Sequence, residues 1–403
     1  MRFRRVSLIA LALSWGLLSF ASTPMRLEDP AENPGFVHFY NLEFDEALAD
    51  FSAQLKAHPD DPDAYNHVAQ TILYREMYRD GALESQLVSG TNPFLRRAKM
   101  EVSAADKKQF NQNIDESIRL SDAILKRDPR DAQALYASSV AHGLRANYYF
   151  LVEKKWMAAL HESIAGRRAN DELLAIDSNF VDAHLISGVS HYIVGCLPFY
   201  LRALGSVNGF HGDKEGGVRE LQLVAKQGVL NRYDAEVLLA AIYRRERRPK
   251  DAIPILQDVA GRFPRNYIFR FEQVQMYSDM GDKRAALDVI GQIEDLRRSG
   301  APGYREICPE KIRYLEGNLL FWYGDLDPAL VAFKQVTQKA NSLDLSTAVM
   351  AWLRLGQVYD LQGRRSDAIE AYRKTVETAP QSEPAQEAQG YISNPYRRKR
   401  VSG

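Results

Sequence analysis

Eight histidines and two cysteines are the side chains best able to bind a metal or attack a substrate, and their spacing argues against both. His38, His58, His67, His142, His161, His184, His191 and His211 are scattered along the chain. His161-Glu162 lacks the second histidine that a zinc-protease helix requires. His184 and His191 stand seven apart, two helical turns, so they can share a face; satisfied or exposed imidazoles are the expected reading, ahead of a metal site. Cys196 and Cys308 form no Cys-x-x-Cys, which removes a zinc ribbon and a redox motif. No Gly-x-Ser-x-Gly elbow, Gly-x4-Gly-Lys loop or Gly-x-Gly-x-x-Gly turn occurs. Carboxylates are abundant but nominate no general acid and base. The expectation is a chain that is not an enzyme, with no catalytic residue, no metal and no cofactor.

What remains is binding chemistry. Tyr192–Phe210 is the most apolar stretch after the N-terminus, with Arg202 its only charge and Pro198 forbidding an ordinary continuous helix. One reading is a helical excursion buried against neighbouring helices. The other is a wall of an apolar groove, with Tyr148-Tyr149-Phe150 and Trp156 as companions. On that second reading the candidate contacts are Tyr148, Tyr149, Trp156, Tyr192, Phe199, Tyr200 and Arg202. The aromatics would anchor an apolar partner and Arg202 would orient a carboxylate. The basic run Arg397-Arg398-Lys399-Arg400 reads as a solvated terminus, with contact to anionic lipid as the alternative.

The elements that must position these residues repeat. Trp352-x2-Leu355-Gly356-x2-Tyr359, then Ala368, Tyr372 and Pro380, resembles the signature of the tetratricopeptide repeat. Leu355, Gly356 and Tyr359 fall on one face of a first helix, with Gly356 small enough for a second helix to approach. Ala368 and Tyr372, four apart, share the facing stripe. Tyr243, Ala252, Leu256 and Pro264 hold the same places, and Tyr277 and Ala286 follow 34 residues after Tyr243 and Ala252. Gly317, Gly324-Asp325, Ala329 and Phe333 form another unit; Phe44 to Ala47, Phe51 and Pro59 form one more second helix. Weaker copies end at Asp128-Pro129 and Asp177-Ser178. Helix pairs that cannot bury their own apolar faces must stack. The predicted fold is all-α, a right-handed α–α superhelix: a tetratricopeptide-repeat solenoid.

The predicted organisation is a signal peptide at 1–21, a linker at 22–33, the solenoid at 34–392 with insertions near 79–111 and 196–211, and a basic tail at 393–403. Between Ala134 and Ala175 the helices read as longer than standard. Arg2, Arg4 and Arg5, the apolar run Val6–Leu18 and Ser19-Phe20-Ala21 compose the leader. Its apolar core is short of the ~20 residues needed to span a bilayer. The expected destination is periplasmic or secreted, with membrane association at most peripheral. Charge is balanced, 52 basic against 52 acidic side chains, and no nucleic-acid partner is expected of an exported chain. The two cysteines sit some three repeats apart, so a disulfide is not expected and buried small hydrophobes are the reading.

More narrowly, Leu197-Pro198 followed by Gly209-Phe210-x-Gly212-Asp213-Lys214-x-Gly216-Gly217 resembles a segment of the tetratricopeptide-39/inclusion-body-clearance group and of similar bacterial proteins. That resemblance implies a non-enzymatic solenoid and carries no catalytic residues; the export leader departs from the eukaryotic members. The function expected is an exported scaffold whose concave face, lined by first helices, holds a peptide or protein partner. The alternative is a carrier of a small apolar ligand or lipid in a pocket closed by 192–210. If the leader is cleaved after Ala21, the intact mass of protein recovered from its host lacks residues 1–21; retention of the full mass overturns the cleavage.

Overall fold

The computed structural model describes residues 27–81, 83, 100–197 and 212–398. Among them are seventeen α-helices and no strand. The first is α1 (Pro34–Tyr40), followed by α2 (Phe44–Ala57), α3 (Pro62–Arg79), α4 (Ala104–Leu125), α5 (Ala132–Tyr148) and α6 (Trp156–Ile176). Next come α7 (His184–Gly195), α8 (Lys214–Gln227), α9 (Arg232–Arg245), α10 (Pro249–Arg262), α11 (Tyr267–Met280) and α12 (Lys283–Arg298). The last are α13 (Pro309–Tyr323), α14 (Leu326–Gln338), α15 (Leu345–Leu361), α16 (Arg365–Thr378) and α17 (Glu383–Ser393). Each helix packs on the next in the chain, and first helices of neighbouring units also touch, α3 with α5 and α13 with α15. The all-α repeat superhelix expected from the sequence is the fold.

Local chemistry starts and stops these helices. Asp61, Asp131, Asp213, Asp282 and Asp344 each accept from a backbone N–H in the first turn that follows. Gly281 (φ 88°) and Gly324 (φ 90°) close α11 and α13 in the left-handed conformation, which lets the next helix double back. Within a unit the close approach is set by a glycine and an aromatic ring sixteen residues later. A Cβ on Gly35 would stand 2.6 Å from Phe51 Cε1, and one on Gly317 would stand 3.1 Å from Phe333 Cε1. Gly356 repeats the arrangement, with a Cβ falling inside the van der Waals envelope of the Tyr372 ring.

Three features differ from the organisation expected. Ala104–Asn111, placed in the insertion near 79–111, form the start of α4. Asp29 and Pro30, placed in the linker, are docked: Pro30 is buried, and the Tyr233 hydroxyl donates to Asp29 Oδ1 at 3.2 Å. The tail is anchored as far as Arg398. Tyr396 donates its N–H to Asp360 Oδ2 at 2.7 Å, its ring lies 5.3 Å from that of Tyr391, and Arg398 donates to the Phe321 carbonyl. Asp360 also accepts from Arg365 and from the Tyr372 hydroxyl, so one carboxylate ties the last unit to the tail.

The largest departure from a simple trough is at the other end. The carboxy end of α1 returns onto residues 193 to 226 positions away. Tyr40 packs 4.8 Å from Phe263 and 5.6 Å from Tyr233, ring to ring. Asn266 Nδ2 donates to the Tyr40 carbonyl at 2.8 Å, and the Arg265 guanidinium pairs with Glu43 at 2.7 Å. The concave side from α1 to α11 is therefore closed into a ring of helices. Farther along, the units from α13 to α17 extend past the closure.

The glycine–ring contact predicts a stability test. Gly356→Val costs about 1–3 kcal/mol in urea unfolding, because the added side chain overpacks against Tyr372. Gly390→Ala, where a Cβ meets nothing within 4 Å, is neutral or stabilising by up to about 1 kcal/mol.

Candidate functional site

Of the residues nominated above, the structure describes Tyr148, Tyr149, Trp156 and Tyr192, and it buries two of them. Tyr148 is 1% exposed, its ring stacked 4.3 Å from that of Phe110, so it is core and not a contact surface. Tyr192 is also core, at 4% exposure; its hydroxyl donates to Glu246 Oε1 at 2.7 Å, and Lys214 Nζ reaches Glu246 Oε2 at 2.9 Å. Both are corrections, and the reason is common: an aromatic on a first helix has neighbours on three sides once the units stack. Tyr149 is half-buried in the π-helical turn Tyr149–Glu153 that ends α5. Trp156 is 40% exposed, edge-on to Phe150 at 4.7 Å, and heads an exposed stripe with Met157, Leu160 and Ile164. Phe199, Tyr200 and Arg202 lie outside the described residues.

The glycine-rich segment that carries the narrower resemblance is a packing device. Asp213 caps α8 by accepting from Gly216 N at 2.8 Å. A Cβ on Gly217 would stand 2.5 Å from the Gly188 carbonyl, and one on Gly212 would stand 2.7 Å from Gly195 N. The backbones of α7 and α8 are thus in near contact. His184 and His191 do share a face of α7, and both turn toward Glu220 of α8, at 3.7 and 2.9 Å from Nδ1. Among the described residues no group of three His, Cys, Asp or Glu side chains is arranged to hold a metal ion, and both cysteines are free thiols.

A different constellation lies inside the closed ring. On α3, Asp63, His67, Gln70 and Tyr74 recur at helical spacing and all remain half-buried. Tyr40 from α1, Tyr136 from α5 and Asp234 from α9 converge with them: the Tyr40 hydroxyl hydrogen-bonds Asp234, and Tyr136 senses Asp63, Asp182 and Asp234 together. These side chains are enclosed by protein, yet Asp63, Tyr74 and Asp234 keep exposed surface, so that surface faces inward. A cavity of about 480 Å³ adjoins them, lined by Asp60, Asp61, Ile124, Asp131 and Gln133 among others. Two of its lining residues, Asp61 and Gln133, also act on the Asp63 carboxyl.

The electrostatics of this interior are one-sided. Burial pushes the Asp63 carboxyl up to about 7, the Asp61 charge adds to that, and hydrogen bonds from Asn66 and Gln133 only partly oppose it. Burial likewise raises Asp234 to about 6 against the Tyr40 hydrogen bond. Neither carboxyl has a lysine or arginine among the groups that perturb it. Burial, then the nearby carboxylates, drive Tyr40 and Tyr136 far above the usual phenol range, so both stay neutral donors. Burial lowers His67 to about 4; its ring sits 4.8 Å from Phe36 and 5.1 Å from Phe51. Asp182 is satisfied structurally, accepting from Val229 N and Asn231 N, while Asn231 Oδ1 accepts from the Tyr136 hydroxyl at 3.0 Å. Asn66 is not fully satisfied: Nδ2 donates to the Ala137 carbonyl at 2.9 Å and lies 3.5 Å from Asp63 Oδ1, but its Oδ1 has no partner.

None of these interior residues was singled out from the sequence. The available signal was the run Asp63-x3-His67-x2-Gln70-x3-Tyr74, a polar face on a helix whose remaining faces are apolar.

Residues 350–382, from mid-α15 through α16 and the turn beyond, match the family described as tetratricopeptide repeat. Among solved structures, the crystal structure of yeast Tom70 is similar at 12% identity, covering 90% of this chain and 88% of that one, with a TM-score of 0.41. Human IFIT1, as a dimer with PPP-AAAA, is similar at 14% identity over 84% of this chain and 69% of that one, with a TM-score of 0.43. A monomeric IFIT1 mutant with Gppp-AAAA gives 14% identity, 87% and 72% coverage, and a TM-score of 0.40. No curated protein matches the chain.

The interior acids fix a pH dependence. Asp63 holds its proton to about pH 7 when folded, against an ordinary value near 3.8, so its contribution to stability is complete below about pH 4 and is lost as pH rises through 7. His67 has the opposite sign: folded near 4 against an ordinary 6.5, its contribution is complete above 6.5 and is lost as pH falls through 4. In urea unfolding, Asp63→Asn gains on the parent between pH 4.5 and 7.5 by on the order of 1 kcal/mol, discounted for residual solvent screening. A difference that stays constant with pH contradicts the assignment.

Proposed function

We propose that the chain is an exported, non-enzymatic binding scaffold whose occupant lodges in the interior enclosed between α1 and α11. The helical-repeat fold is of a type suited to holding partners, because stacked pairs leave a continuous inner face of first helices. The observation that carries the reading is the return of Tyr40 onto Tyr233 and Phe263, which converts an open trough into an enclosed space. Polar and aromatic side chains keep accessible surface there without forming a catalytic constellation. An occupant of such a space is narrow: an extended peptide segment, or a small molecule as the second reading. The same enclosure favours both, and native mass spectrometry separates them by adduct mass.

The leader at 1–21 supports export to a periplasm or exterior. No described helix is long and apolar enough to cross a membrane, and peripheral contact through the basic residues near 397–400 is compatible with that. The segment 197–217 supports kinship with the tetratricopeptide-39 group at the level of the α7–α8 hairpin. An acidic interior disfavours phosphate-bearing ligands, since carboxylates repel them.

Gly143 supplies the test. It lies on α5 seven residues after Tyr136, on the same face, and a Cβ there meets nothing within 4 Å. Gly143→Trp adds its first side-chain atom in open space, and retention of the fold is checked by circular dichroism and urea midpoint. The expected outcome is loss of the adduct or partner that copurifies with the parent chain from its host. Undiminished recovery with the tryptophan in place contradicts an internal site.

A further inference from the structure

We propose a second binding site, independent of the interior one and lying past the closure, where α13, α15 and the tail hold an acidic peptide segment. Carboxylates of the segment meet the guanidiniums of Arg354 and Arg398, and the open surface of Trp322 takes its apolar side chains.

The site is built on first helices, since α13, α15 and α17 touch in that order. Asn318 and Trp322 are four apart on α13 and share a face. Arg354 of α15 crosses to both. Its Nε donates to Asn318 Oδ1 at 3.1 Å, and its guanidinium lies 5.0 Å from the centre of the Trp322 ring and 5.2 Å from that of Phe321. Nη1 donates to Gln357 Oε1 at 2.6 Å. These partners are amides and rings, all neutral, and Nη2 donates to no described group. A planar guanidinium stacked in this way is pre-organised for the paired oxygens of a carboxylate. Trp322 beside it is 50% exposed, although it is among the largest apolar side chains of the chain.

The tail brings a second cation to the same place. Tyr396 sets its ring 6.1 Å from Phe321, and the Arg398 guanidinium lies 5.1 Å from the Phe321 ring centre while donating to the Phe321 carbonyl. Phe321 thus carries two guanidiniums, and among the described residues neither has a carboxylate within ion-pair distance.

Nearby acids do not balance them, because they are engaged elsewhere. Asp360 accepts from Arg365, Tyr372 and Tyr396; Asp325 pairs with Lys283, and Glu316 with Arg313 at 2.5 Å. Glu387 of α17 is the exception. It feels Arg354 without closing to ion-pair distance, and burial raises its proton affinity above the ordinary range. With Arg397 also exposed, the surface has an excess of positive charge, and its complement is acidic. An open shelf, unlike an enclosed pocket, suits a segment of chain. Carboxylates two residues apart on an extended segment stand roughly 7 Å apart, a span that lets one segment use both guanidiniums. Arginine and tryptophan at the centre of a contact are the residue types that carry most binding energy.

Fluorine NMR of the full chain labelled with 5-fluorotryptophan tests this, with Trp322→Phe assigning the Trp322 signal. The probes are acetyl-Glu-Leu-Glu-Leu-Glu-amide, its counterpart with glutamine for every glutamate, and glutarate as a free dicarboxylate. The acidic peptide moves the Trp322 signal saturably, and the glutamine peptide binds at least tenfold more weakly. Affinity for the acidic peptide falls at least fivefold in Arg354→Gln and at least threefold in Arg398→Ala, an exposed tail position where the fold is not at risk. It rises at least twofold in Glu387→Gln, which removes the competing carboxylate. Gly143→Trp, which probes the interior, leaves the titration unchanged. An unmoved Trp322 signal, equal affinity for the two peptides, or undiminished affinity in both arginine variants overturns the proposal. Glutarate binding as tightly as the acidic peptide removes the peptide as occupant, and loss of the response in Gly143→Trp would move the peptide to the interior.

Discussion

The structure depends on how closely the two helices of a unit approach. Where Gly35, Gly317 and Gly356 sit, the missing side chain is the space that Phe51, Phe333 and Tyr372 fill. That contact buries a large ring against backbone, and interiors are packed densely enough that one methyl group is felt. Fixing the angle within a unit fixes which faces remain for the next unit, so a local contact propagates along the chain. The α7–α8 pair uses an extreme version, with Gly188 and Gly217 placing backbone against backbone. The α6–α7 junction lacks such a device and is thin; Asn170 Nδ2 to Ser187 Oγ, at 3.1 Å, is one of the few ties across it.

A second constraint acts over distance. Stacked repeats need touch only their neighbours, yet α1 reaches α9, α10 and α11 through Tyr40, Asn41 and Glu43. Closing the ring gathers the first turns of α3 and α9 around a common interior. Acids that would be solvated on an open superhelix become enclosed there. Their raised proton affinity is the electrostatic signature of the closure.

Histidines and cysteines of this chain make structural pairings. His191 bonds Glu220 at 2.9 Å, His142 bonds Glu162 at 2.6 Å, and Cys308 Sγ lies 2.7 Å from Glu310 Oε2. Each pairing joins neighbouring elements or turns, which is structural chemistry. The interior acids differ in that their partners are neutral, Tyr40 for Asp234 and Asn66 with Gln133 for Asp63.

From the residues alone, the helix pairs, their 34-residue period and the role of Gly356 were legible. Each of these follows from steric and hydrogen-bonding rules acting within about forty residues of chain. The aromatic wall was misread for Tyr148 and Tyr192, because an apolar side chain in a periodic pattern looks the same whether it faces a ligand or another helix. The meeting of Asp63 with Tyr40 and Asp234 was not legible at all: the closure joins residues more than 170 positions apart, and no local pattern records it. Burial of an acid is a property of what surrounds it, and only the returning first helix determined that surrounding.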